Sequence, residues 1–174
     1  MGLVGKNIVR FVGLILLQIL LIRNVEFGFL NNYIYLALYT SFLLTFPLNV
    51  NKYFVVIVAL FLGLSIDMFE NTYGLNASAC VFMAFVRPSI LKRFQTDSPI
   101  EDIQELTIYN EDKQKYAIYS FVLIFCYYLW FFLLEEFSIF KIPVILLKTI
   151  ISTGISTLLI LLGQLLLIRK PKTH

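Results

Sequence analysis

Long apolar runs, repeated along almost the whole chain, constrain this sequence more than any other feature. A helix needs roughly 20 apolar residues to cross a hydrocarbon core of ~30 Å. On that criterion the 174-residue chain holds roughly six candidate spans. They lie at about 8–22, 33–46, 53–69, 75–91, 116–134 and 143–168. Only 14% of the residues are charged and 59% are hydrophobic, whereas a soluble domain is about a quarter charged. There is too little polar side chain to cover a globule in water. The expected fold class is therefore an all-α integral membrane protein, one six-transmembrane-helix bundle over 1–174 without a separate soluble domain.

The first run follows Lys6 and Arg10 and ends in Leu-Ile-Arg-Asn instead of a small-x-small cleavage site. It reads as a retained first span that doubles as the targeting signal. Gln18 is its single polar interior residue. The second run is short for a full crossing and is closed by Pro47; low tilt, local thinning of the bilayer or a partly re-entrant path would each accommodate it. Its Tyr33, Tyr35 and Tyr39 suit an interfacial end. Only 70–74 separates the third and fourth runs, which predicts an antiparallel helical hairpin. The only long hydrophilic stretch is 92–115, where Ser98-Pro99-Ile100-Glu101 fits a capping box. That stretch is either a short amphipathic surface helix or a loop.

Charge orients the predicted bundle. With the N-terminus inside, one side collects Lys6, Arg10, Lys52, Lys92, Arg93, Lys113, Lys115, Arg169, Lys170 and Lys172. The other side keeps Arg23 and Lys141, with Lys148 a little inside the last run, together with Asp67, Glu70, Glu135 and Glu136. The positive-inside rule then places both termini, and the 92–115 loop, in the cytoplasm. An even number of spans agrees with that.

Asp67 is the sharpest candidate residue, since an acid inside an apolar run is costly in lipid. Gly63 precedes it by one helical turn on the same face and would let a neighbouring helix approach closely. Two readings stand: a packed polar contact, with Arg87, Lys148 or a partner, or an acid at the water interface helped by Asn71 and Thr72. A direct Asp67–Arg87 pair is not expected, because the hairpin geometry puts them towards opposite faces. Arg87-Pro88 lies in the other half of span four. Either the arginine satisfies a carbonyl freed by Pro88 or it snorkels to the phosphate layer. Thr149, Thr153 and Thr157, with Ser152, Gly154 and Ser156, mark a close-packing helix face, within the chain or between chains.

Chemistry is thin. His174 is the only histidine and ends the chain. Cys80 and Cys126 lie inside apolar runs without metal-ligand spacing. There is no Ser/His/Asp set, no paired His/Glu motif and no phosphate loop. An enzyme, a cofactor and a metal are not expected, and no basic tract interleaved with aromatics points to nucleic acid. The aromatic content of 16% suits lipid-facing and interfacial positions.

Asn31-Asn32-Tyr33-Ile34-Tyr35, Phe46-Pro47 and the 63–79 segment GLSIDMFENTYGLNASA, in this order, resemble the rod shape-determining MreD family. Phe85-Val86-Arg87-Pro88 and Leu134-Glu135-Glu136-Phe137-Ser138 look like its Bacteroidetes-type version. The resemblance covers essentially the whole chain. It implies a non-enzymatic inner-membrane scaffold of the cell-wall elongation complex that binds MreC. The wider complex would include MreB, RodA and an elongation transpeptidase. It also implies a fold similar to the six-helix substrate-binding subunits of energy-coupling-factor transporters. The family motif falls on Gly63, Asp67 and Gly74, with Arg87 added from the residues themselves, and implies a binding surface or pocket on the periplasmic side. The contact face would be formed by 26–32, 70–74 and 135–141. The alternative is a small-ligand-binding subunit of a vitamin-type transporter, with Asp67, Asn71, Asn76 and Gln18 as pocket groups and 149–157 docking a coupling protein.

Overall fold

A computed structural model describes residues 3–22, 34–48, 50–94, 113–137 and 139–167. Among these the chain is all helical, with no strand. The sequence expectations for 23–33, for the capping box at Ser98 and most of the 92–115 loop, and for the basic residues after 168 lie outside the described residues.

The helices are α1 (Leu3–Leu17), α2 (Thr40–Leu44), α3 (Lys52–Glu70), α4 (Leu75–Phe94), α5 (Lys113–Glu136) and α6 (Ile142–Leu167). A π-helical turn, Gln18–Ile22, extends α1, and a 3-10 turn, Ile139–Lys141, leads into α6. Among the described residues three helical segments are long and apolar enough to cross a membrane: Lys52–Glu70, Lys113–Glu136 and Ile142–Leu165. The apolar stretch that runs through α1 into the π-helical turn, Ile8–Leu20, is shorter. α4 has 20 residues, but Asn76, Arg87, Lys92 and Arg93 lower its apolarity, and it packs between α3 and α5.

α5 is the spine of the core because it contacts both α4 and α6. Its buried residues, Tyr116, Tyr119, Ser120, Leu123, Ile124, Tyr127, Tyr128, Phe131 and Phe132, recur at helical spacing and form one inward face. These core tyrosines depart from the expectation of interfacial and lipid-facing aromatics, whereas Tyr53, Phe54, Phe61 and Phe85 are exposed. Tyr39, Tyr116, Tyr119, Tyr127 and Tyr128 are fully buried. Burial is tolerated because the hydroxyls of all five find partners in the core. The outward faces of α3 and α6 carry Phe54, Ile57, Phe61, Leu64, Leu147, Ile150 and Leu158 instead, an apolar exterior that suits lipid.

The second predicted span is not one helix. Residues 34–37 are unwound, and only Thr40–Leu44 is helical. The physical reason is a set of side chains that replace the helical hydrogen bonds. Tyr35 N–H donates to Ser152 Oγ at 3.1 Å, and Ala37 N–H donates to Tyr128 Oη at 2.9 Å. Gln18 Oε1 accepts from Leu38 N–H at 3.3 Å, while Gln18 Nε2 donates to the Leu36 carbonyl at 2.7 Å. Irregular backbone at membrane depth persists only where protein supplies its partners. Pro47 then biases Phe46 away from helix and ends the segment.

The Ser/Thr face of α6 is consumed by the same packing. Thr149, Ser152, Thr153, Ser156 and Thr157 are buried within the chain, whereas Gly154 is exposed.

Candidate functional site

The candidate site is the α3–α4 hairpin with the unwound segment laid against it. Gly63 makes the hairpin close. A Cβ at this position would lie 2.6 Å from Ala77 N and 2.7 Å from the Asn76 carbonyl oxygen, and nearer still to Ala77 Cα. These are backbone atoms and cannot move aside. The close approach expected from the sequence is therefore present, with α4 as the neighbour.

The turn that follows is built from left-handed residues. Asn71 has φ 55°, Tyr73 φ 47° and Gly74 φ +90°, a region glycine adopts without steric cost. Gly74 precedes the first residue of α4 and has no side chain with which to cap it. Asp67 supplies the cap from the preceding helix. Its Oδ1 accepts the Asn76 N–H at 3.0 Å and its Oδ2 accepts the Ala77 N–H at 2.9 Å. The Thr72 hydroxyl donates to Oδ1 as well. These are the second and third amides of α4, the groups a helix start leaves without partners, and the helix dipole favours a carboxylate there. Neither Arg87 nor Lys148 is its partner; Thr72, expected from the sequence to help the acid, is one, and Asp67 is 7% exposed.

One turn beyond Asp67, the hydrogen bonds converge on Glu70 and Asn76. Tyr35 Oη donates to Glu70 Oε2. Gln18 Nε2 and Asn76 Nδ2 donate to the same carboxylate, each at 3.3 Å. Asn76 Oδ1 lies 2.7 Å from Tyr39 Oη, 2.8 Å from Tyr127 Oη and 3.0 Å from Tyr35 Oη. The Tyr39 and Tyr127 hydroxyls also bond to each other. Four elements are thereby tied to two side chains of the hairpin: the π-helical turn, the unwound segment, the segment running into α2, and α5. Sequence reasoning missed Glu70 and the tyrosines as part of this cluster. The available signal was Gln18, a lone amide in an apolar run that requires a buried partner.

Arg87 sits apart, towards the other end of α4. It is 4% exposed, so it does not snorkel. Its Nε donates to Tyr119 Oη at 3.1 Å, and its Nη2 donates to the Phe46 carbonyl. The freed carbonyl it satisfies belongs to the chain just before Pro47, not to the turn before Pro88. Arg87→Lys is expected to cost about 1 kcal/mol, because an ammonium loses the planar fork that reaches both acceptors. Thermal unfolding in mild detergent measures this, with Arg87→Ala as the larger reference loss.

The antiparallel packing collects charge at the two ends. Lys52, Lys92, Arg93, Lys113 and Lys115 are exposed at one end. Glu70, Glu135 and Glu136 lie at the other. There Glu136 bridges Lys141 at 2.7 Å and Lys148 at 2.6 Å, which braces the α5–α6 corner. The acidic end also carries an uncovered aromatic rim: Tyr73 is 100% exposed at the hairpin tip, and Phe137 85% and Phe140 97% at the α5–α6 corner. Phe137 holds φ 37°. Among the described residues the interior of this end is thus hydrogen-bonded, while Tyr73, Phe137 and Phe140 stand exposed at its edge.

No family model matches the chain, and no curated protein or solved structure matches it.

Proposed function

We propose that the chain is a non-enzymatic scaffold subunit of a bacterial cell-wall elongation complex, in the manner of the MreD family its sequence resembles. In this reading it is a six-span bundle in the inner membrane with both termini cytoplasmic. The acidic end faces the periplasm and receives the membrane-proximal segment of MreC, within a complex that includes MreB, RodA and the elongation transpeptidase. The carrying observation is the contrast at that end between a bonded interior and a bare rim. Asp67, Glu70 and Asn76 are engaged in holding the hairpin, while Tyr73, Phe137 and Phe140 are exposed. Aromatic residues are enriched where proteins bind proteins, and a braced support keeps such a surface in one shape. The basic opposite end supports the orientation.

Native co-purification tests this. With a C-terminal tag and a mild detergent, MreC is expected to be retained, and Tyr73→Ser with Phe140→Ser is expected to lower its recovery several-fold. Recovery of transporter ATPases and a coupling subunit would overturn the scaffold reading in favour of a vitamin-type transporter. Reporter fusions that placed 92–115 outside the cell would reverse the orientation and remove the contact face.

A further inference from the structure

A cleft of about 200 Å³ opens between α1, α2 and α6, away from the hairpin and the aromatic rim. Its polarity is graded along the membrane axis. Gln18 reaches Glu70 at the acidic end, so Arg10, two turns earlier on α1, lies towards the basic end. Gln164 Nε2 donates to Tyr116 Oη at 2.8 Å, beside Lys113 and Lys115 at the start of α5. Arg10, Thr45 and Gln164 therefore line the basic side of the cleft, and Leu14, Leu17 and Leu159 line it towards the midplane. Leu158 and Leu162 of α6, next to the lining residues Leu159 and Gly163, are exposed outside the cleft, which sets the cleft beside an apolar outer surface. Gln164 is 7% exposed, and its Oε1 is buried without a hydrogen-bond partner.

We propose that this cleft binds one anionic phospholipid with a hydroxyl-bearing head group, taken from the leaflet at the basic end. The order of the lining is the order of such a molecule. The Arg10 guanidinium matches a phosphodiester. A head-group hydroxyl completes the Gln164 amide, and because a hydroxyl both donates and accepts, it serves either amide atom. The first methylenes follow Leu14, Leu17 and Leu159. The volume is below the roughly 300–1,000 Å³ that encloses a drug-sized ligand, so it suits one end of a long molecule whose chains continue into the bilayer. A head group carrying an ammonium would set a second cation beside Arg10. The proposal is independent of the scaffold reading, since it depends only on this cleft.

The test is lipid retention by the full-length protein in native mass spectrometry, after delipidation and exposure to phosphatidylglycerol, phosphatidylcholine or phosphatidylethanol of the same chain length. One phosphatidylglycerol is expected to stay bound, at least tenfold over phosphatidylcholine and several-fold over phosphatidylethanol, which is anionic but has no hydroxyl. Arg10→Gln is expected to bring phosphatidylglycerol down to the phosphatidylcholine level. Gly163 lines the same cleft, and a Cβ there meets nothing within 4 Å. Gly163→Leu is therefore expected to fill the cleft and abolish retention while melting no lower than wild type. Equal retention of phosphatidylglycerol and phosphatidylcholine overturns the proposal, as does a folded Gly163→Leu that keeps its lipid. Equal retention of phosphatidylglycerol and phosphatidylethanol overturns the role given to Gln164.

Discussion

Gly63→Ala is expected to destabilise the detergent-solubilised chain by about 3 kcal/mol, the upper part of the usual range for overpacking. The added methyl would meet Ala77 N, Ala77 Cα and the Asn76 carbonyl, all of them backbone. Relief requires α3 and α4 to separate, and separation carries Ala77 N–H away from Asp67 Oδ2, now 2.9 Å distant. The effect is therefore steric at its source and electrostatic in its consequence. Ala77→Gly is not expected to rescue it, because the obstructing atoms remain when the Ala77 methyl is removed. Thermal unfolding of the single and double variants measures both points. A Gly63→Ala protein that melts with wild type would mean the helices are not in backbone contact here.

Asp67→Ala is expected to cost a similar amount, about 2–3 kcal/mol, through loss of a charge-assisted cap. Removal of the carboxylate leaves the N–H groups of Asn76 and Ala77, both buried, and the Thr72 hydroxyl without their acceptor. Asp67→Asn is expected to cost less, about 1–2 kcal/mol. Its oxygen can keep the Asn76 and Thr72 bonds, but its amino group then faces the Ala77 N–H, donor against donor. Because Gly63 is what brings Ala77 to Asp67, the double variant Gly63→Ala/Asp67→Ala should lose less than the sum of the single losses. Strict additivity would show that the cap forms without the close approach. Hydrogen exchange at Asn76 and Ala77, faster in both single variants, checks the site directly.

These effects belong to a hairpin whose motif residues hold the molecule together. In the structure Gly63 and Asp67 fix the approach of α3 and α4 and the start of α4. Asp67 looked exceptional because an acid in an apolar run is costly, and its burial has a local cause. Gly74, needed for its positive φ, cannot cap α4, so the carboxylate is borrowed from the preceding helix. Under the scaffold reading, variants at Gly63 and Asp67 should lower partner recovery only as far as they lower folding. Changes at Tyr73 and Phe140 should lower recovery while leaving the melting temperature in place.

Much of the architecture was legible in the chain because hydropathy and turn chemistry are local. The run at 53–69 became Lys52–Glu70, and that at 116–134 became Lys113–Glu136. The run at 143–168 became Ile142–Leu167, and the tight hairpin between α3 and α4 lies where the short polar break predicts it. Gly63 was legible for the same reason: one glycine a turn before an acid implies a near neighbour. The sequence did not by itself disclose the unwinding of 34–37, the burial of the core tyrosines or the target of Arg87. Each depends on groups distant along the chain: Ser152 for Tyr35, Tyr128 for Ala37, Phe46 for Arg87. An apolar run determines that a segment leaves water. Whether that segment winds as helix or opens, and which polar side chains it then engages, is decided by the hydrogen-bonding groups that other elements bring to it, because in an apolar interior every backbone N–H and C=O must find a partner.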